Sequence, residues 1–142
     1  MTVADIYQKD LLKLAARASG AGRLNNPDGS VRIHNPYCGD RITVDVKLDG
    51  DRVAEIGHEA KACMLCQASA SILGKQAPGR TVDELQDLET TVEAMLKQDG
   101  AAPDGDWADY ASFDPVREVK SRHECVMLPF RALLKAARDK DA

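Results

Sequence analysis

Residues 41–48 alternate without a break. Ile42, Val44, Val46 and Leu48 share one face, and Arg41, Thr43, Asp45 and Lys47 the other. A period of two over this length is a strand with one face covered and one in water. Asp49-Gly50 follows at once and is a hairpin turn signal. A return strand is expected from Arg52 to Ala60, with Ala54, Ile56, His58 and Ala60 inward. A shorter strand from Val31 to His34 precedes the pair and ends at Asn35-Pro36, where proline stops the ladder. Together these make a small antiparallel meander.

Everything around that meander reads as helix. Val3, Ile6, Tyr7, Leu11, Leu14, Ala15 and Ala18 recur at helical spacing, with Thr2 and Asp5 as a capping pair. Gly20-Ala21-Gly22 ends that helix, and Asn25-Asn26-Pro27-Asp28-Gly29 is a loop. A short helix is expected from Cys63 to about Gly74, broken by Pro78-Gly79. Thr81 to Glu84 is a capping box opening a helix that turns Val82, Leu85, Leu88, Val92, Met95 and Leu96 inward. Residues 99–105 read as loop, and Trp107 to Phe113 as irregular chain or a short helical turn. Ser121 to Glu124 reads as a second capping box, opening a last helix to about Arg138. The expected class is α+β: a three-stranded antiparallel sheet between an N-terminal helix and a C-terminal helical half.

With 142 residues the chain has the usual size of one domain, so 1–142 is expected to fold as a single unit around its own core. Aromatic residues make up only 4% of it, which leaves the core to Leu, Val, Ile and Ala. Net charge is −4 with no long run of one sign, which argues against a nucleic-acid partner. No apolar stretch approaches the ~20 residues of a membrane span. Asp5 and Asp10 interrupt the N-terminal pattern, so no secretory signal is visible and the cytoplasm is the expected location. In that compartment four cysteines point to metal binding or thiol reactivity before disulfides.

Cys38 lies in the turn between the first two strands, in Asn35-Pro36-Tyr37-Cys38-Gly39-Asp40. Gly39 permits a tight turn, and Asp40 then stands at the root of the next strand. Cys38 and Asp40 are either half of a metal site or an ordinary turn. Cys63 starts a helix, where the positive end of the dipole favours a thiolate. With Cys66 it forms a Cys-x-x-Cys pair. That pair is a redox dithiol, two zinc ligands, or one ligand beside a small buried residue. Cys125 falls in the first turns of the last helix, where the dipole acts again. Pro129 lacks the N–H that would meet the Cys125 carbonyl, so a kink or a late helix start is expected there. Among the histidines, His58 is expected to be packed inward, whereas His123 is a reserve ligand, a proton carrier or a plain first-turn residue. Three thiolates and a carboxylate make a full four-ligand set. A zinc deaminase site is excluded, because His58 and Glu59 are adjacent and Ala62 stands where that motif needs proline.

The order and spacing of Asn35-Pro36-Tyr37-Cys38-Gly39-Asp40-Arg41-Ile42, Lys47-Leu48-Asp49-Gly50-Asp51, Ala62-Cys63, Ala68-Ser69-Ala70-Ser71 and Arg122-x-x-Cys125 resemble those of the iron–sulfur cluster scaffold proteins of the IscU/NifU N-domain type, most closely the SufU branch. The resemblance covers nearly the whole chain. It implies helices packed on one side of the sheet and metal ligands at Cys38, Asp40, Cys63 and Cys125. In the SufU branch that site holds zinc; in scaffolds it holds a nascent [2Fe–2S] cluster. Cys38 matches the position that accepts sulfur from a cysteine desulfurase, which implies a SufS-type partner and recipient iron–sulfur apo-proteins or carriers downstream. IscU-branch scaffolds carry His directly before the last cysteine, where this chain has Glu124. They also carry a Leu-Pro-Pro-Val-Lys chaperone motif, where this chain has Val116-Arg117-Glu118-Val119-Lys120-Ser121. The 98–120 segment is similar to an extra stretch of the SufU branch. Cys66 and Pro129 are outside the family pattern.

Three thiolates and one carboxylate carry four negative charges, so a divalent metal leaves the centre at about −2. Arg41, Lys61 and Arg122 are the cations nearest in sequence. Asp40 is the hard ligand among soft ones and the expected weak point for zinc or iron. Such a centre suits a scaffold or a zinc-bound sulfur acceptor. The alternative is a structural zinc domain that binds a protein partner.

Overall fold

The computed structural model describes residues 3–35 and 39–138, with side chains from residue 9 onward. The expected Thr2–Asp5 cap, the inward positions of Val3, Ile6 and Tyr7, and the placement of Cys38 lie outside the described residues or side chains. Helix α1 (Val3–Arg17) precedes strands β1 (Gly29–His34), β2 (Arg41–Asp49) and β3 (Arg52–Lys61). Helices α2 (Met64–Gln76) and α3 (Val82–Lys97) follow. A 3-10 segment (Gly105–Glu118, then Lys120–Arg122) leads into α4 (His123–Arg138). The strands form one antiparallel sheet in the order β1-β2-β3. Helix α4 packs across β1 and β2 and α2 against β3, while α1 lies on α2 and α3 on α4. The expected α+β class and meander are what the chain adopts. No helix among the described residues is long and apolar enough to cross a membrane.

The buried face of the sheet carries Ile42, Val44 and Val46, as the alternation predicts. On β3 the expectation needs correcting. The pairing slips between Lys47 and Leu48, where Val46 faces Ile56 but Leu48 faces Val53. This bulge inserts one residue, so Val53 is buried and Ala54 is exposed, the reverse of simple alternation. His58 is inward as expected, and its Nε2 meets the Ser19 carbonyl at 2.7 Å.

The opposite face is not simply wet. Asp45 is fully buried there and accepts from the Arg23 guanidinium, from Ser30 Oγ and from the Leu24 N–H at 3.1 Å. The chain after α1 folds over this face as a strap. It pairs with the outer edge of β3 through Gly22 N–H to His58 O (2.8 Å) and His58 N–H to Gly20 O (3.0 Å). Gly57 lies opposite Asp45 in register, and a Cβ on it would sit 2.5 Å from the Gly22 carbonyl oxygen. The glycine is what lets the strap pass this close.

The C-terminal half holds a second surprise. The expectation of an aliphatic core misses an aromatic cluster. Tyr110, Phe113 and Phe130 are among the largest fully buried side chains, and Tyr110 stacks at 5.6 Å on Phe113 and 5.2 Å on Phe130. These rings pin the 3-10 segment, which is far longer than the single turn expected at 107–113 and than such helices usually run. Arg80 adds an outer clasp, lying 5.5 Å over the Trp107 ring and ion-paired to Asp106.

Candidate metal centre

Asp40 is placed by the connection between β1 and β2. Gly39 has φ +75, a conformation that glycine enters without strain. Its N–H bonds the Asn35 carbonyl at 2.9 Å, while the Asn35 N–H bonds the Asp40 carbonyl at 2.8 Å. These two bonds close the connection and turn Asp40 inward, where it is buried.

Cys63 is the N-cap of α2, with extended backbone at φ −67 and ψ 167 and no side-chain cap of its own. Its N–H is taken by Asp40, whose Oδ1 accepts it at 3.0 Å. The carboxylate thus stands at the positive end of α2, beside the half-buried Cys63 thiol.

Cys125 arrives on α4 and is fully buried. The crossing of α2 and α4 that brings it here is tied by Ser69, whose Oγ donates to the Val126 carbonyl at 2.8 Å in a fully buried contact. Tyr110 joins the same junction, donating to the Ser69 carbonyl at 3.1 Å. One ligand atom from each of Asp40, Cys63 and Cys125 lies within 4.8 Å of the other two. Asp40 Oδ2 is buried with no hydrogen-bond partner among the described residues. A buried carboxylate oxygen beside two thiols is costly without a partner, and a cation would supply one. The donor set, two soft sulfurs and one hard oxygen, fits zinc or iron.

The other expected site residues are distributed around this group. Arg41 and Lys61 face each other across β2 and β3 and are exposed. Arg122 is exposed in the last 3-10 turn. His123 is not a ligand in this arrangement. It is buried, and its Nε2–H is shared between the carbonyls of Val116 and Arg117, each at 3.0 Å, which ties the 3-10 segment to α4. The expected cap of α4 also differs. Ser121 lies inside the second 3-10 turn, and Glu124 pairs with Arg131 and Lys97 instead of the backbone. The chain therefore enters α4 already coiled, with the Arg122 N–H bonded to the Val119 carbonyl at 2.9 Å and the His123 N–H to that of Lys120. Pro129 does not delay the helix, which runs from His123 to Arg138. Cys66 is buried in the core near Tyr110 and is not one of the three grouped ligands. Of the described cysteines none is in a disulfide.

Residues 6–111 match the model of the NifU-like N terminal domain, and the chain belongs to that family. Cys125 and α4 lie beyond the matched span, but relatives and solved structures align across them. A nitrogen-fixing NifU-like protein (N-terminal) from Brucella abortus superposes with a TM-score of 0.92 at 37% identity, covering 99% of this chain and 98% of that one. The chain is also similar to the zinc-dependent sulfurtransferase SufU of Bacillus subtilis, at 30% identity over 105 residues, 74% of this chain and 71% of the relative. The iron–sulfur cluster assembly scaffold protein IscU of Thermotoga maritima is 24% identical over 133 residues, 94% of this chain and 93% of the relative.

Proposed function

We propose that this chain is an iron–sulfur cluster assembly protein whose working centre is Asp40, Cys63 and Cys125, with Cys38 as fourth ligand and sulfur acceptor. The observation that carries this reading is the meeting of three donors from three separate elements within 4.8 Å, around a buried Asp40 oxygen that no other described group satisfies. Names of relatives support it from both sides, one a zinc-dependent sulfurtransferase and another a cluster scaffold.

Zinc, when bound, keeps the coordinating thiols deprotonated at neutral pH. Cys63 and Cys125 hold the anchored side of the centre, since one caps α2 and the other is packed within α4. Asp40 is the exchangeable side: a hard oxygen already engaged through Oδ1. In the sulfur-accepting step, the Cys38 thiolate attacks the terminal sulfur of a persulfide on a SufS-type cysteine desulfurase. An S–S bond forms at Cys38, the partner's S–S bond breaks, and the partner cysteine leaves as thiolate. With two electrons from an external reductant, the sulfur would be released as sulfide for a [2Fe–2S] cluster built as cargo on the four ligands; without reduction it would pass as sulfane sulfur to a thiolate of recipient apo-proteins or carriers.

The test is incubation with a cysteine desulfurase and cysteine, followed by mass spectrometry of wild type and Cys38→Ser. A persulfide mass on wild type alone is expected. Its absence from wild type would leave the centre as a structural zinc site.

A further inference from the structure

Beside the metal centre the uncovered part of the sheet's second face opens into a groove of about 510 Å³. The strap covers the Asp45–Gly57 end of this face. At the other end stand Arg32, Arg41, Thr43, Glu59 and Lys61, walled by Ala15, Ala18, Ala21 and Gly22. Arg41 and Lys61 are directly cross-strand partners. Like charges in that relation destabilise a sheet, and no ion pair among the described residues offsets either of them. Arg32 reaches over Thr43, its Nε at 3.3 Å from Oγ1. With Glu59 included, the groove carries three cations against one carboxylate.

The strand beside it is also incomplete. His58 turns its N–H and C=O outward to the strap. By the two-residue period, Ala60 presents its own N–H and C=O on the same edge. The strap has left the edge by then, and no described residue bonds to these two groups. An open pair of backbone groups flanked by alanines and glycine has room for a further backbone, and the cations select its charge.

We propose that this groove binds an extended acidic segment of a protein partner, which adds to the β3 edge at Ala60 and places its carboxylates on Arg41 and Lys61, with Arg32 beyond. Arg41 follows Asp40 directly and Lys61 precedes Cys63 by two residues, so a segment seated here lies next to the centre without using any of its ligands. The inference therefore stands apart from the identity of the metal.

The probe is a capped nine-residue peptide of alternating Glu and Val, titrated into ¹⁵N-labelled protein at low ionic strength. Saturable shifts of the Ala60 and Lys61 amides are expected. The Arg41→Glu/Lys61→Glu double variant should bind at least about tenfold more weakly, and so should a peptide methylated at its backbone amides. Arg41→Gln/Lys61→Gln gives the same reading should the charge-reversed protein misfold, which circular dichroism would reveal. Equal binding of a basic peptide with Lys in place of each Glu, undiminished binding of the methylated peptide, the same shifts from inorganic phosphate alone, or no saturable shift at Ala60 would each overturn the proposal.

Discussion

Asp40 Oδ1 accepts the backbone N–H of Cys63 at 3.0 Å, so one candidate ligand caps the helix that carries another. The two are 23 residues apart, and the bond couples the β1–β2 connection to the start of α2. Asp40→Ala should therefore have two separable effects. Metal-free protein should lose about 1–2 kcal/mol through the orphaned N–H, and the metal should leave faster because its one oxygen donor is gone. Denaturant unfolding of the apo form and competition with a chelator measure the two. Unchanged chelator kinetics would remove Asp40 from the ligand set.

The two cysteines at the start of α2 should behave oppositely. Cys63→Ser replaces a soft donor in the three-ligand group and should cost most of the bound zinc. Cys66→Ser leaves the group intact and should keep zinc stoichiometry near wild type while lowering stability, since Cys66 is in the core. Metal analysis beside thermal melts of both variants checks this; equal zinc loss would make Cys66 a ligand.

Ser69→Ala tests the junction that sets the Cys63–Cys125 approach. It removes the donor to the buried Val126 carbonyl and should cost about 1–2 kcal/mol. A loosened α2–α4 crossing should also weaken zinc retention, although residue 69 is not a ligand. Ser69→Cys, with a weaker donor of similar shape, should fall between.

The strap provides a prediction at low pH. Burial pushes the Asp45 carboxyl up, but hydrogen bonds from Arg23, Ser30 and the Leu24 N–H, with the charge of Arg23, outweigh it and hold the group below the usual carboxylate range. A depressed acid stabilises the fold above its unfolded pKa, near about 4, and loses that stabilisation as pH falls through the folded value. Asp45→Asn should be destabilised at pH 7 by about 1–3 kcal/mol, with the difference from wild type shrinking in acid. A constant difference at all pH values would mean that the charge is irrelevant.

His58 acts on a higher pH window. Burial lowers its pKa, and the bond to the Ser19 carbonyl only partly offsets this. The folded state thus prefers neutral imidazole. Stability should be full above the unfolded value of about 6.5 and should decline as pH falls below it, because the unfolded chain then binds the extra proton. His58→Gln should flatten the slope of melting temperature between about pH 6.5 and 5.

Much of this was legible in the residues. Alternation over 41–48 and Asp49-Gly50 specify two paired strands because a period of two with a tight turn has few other solutions. The Thr81–Glu84 box is present as read, both of its reciprocal bonds formed. Where local signals failed, a long-range contact had won. Ser121 has the sequence of a cap, yet the 3-10 segment is held by buried Tyr110, Phe113 and His123, and the chain never leaves the coil there. Asp45 reads as a solvent-facing strand residue, yet Arg23 and Leu24 cover it. Gly57 was the available clue, a glycine inside a strand where another backbone comes close.

What the sequence determines by itself is therefore local and periodic: strand faces, turns, the α3 cap, and the kinds of donor that a metal would find. Only the tertiary structure decides which donors meet. Asp40, Cys63 and Cys125 are separated by 23 and 62 positions along the chain. They meet because a turn, a helix cap and a packed helix converge through the Asp40–Cys63 and Ser69–Val126 bonds. Convergence of that kind depends on burial and on shape across the core, neither of which is written in the spacing of the residues.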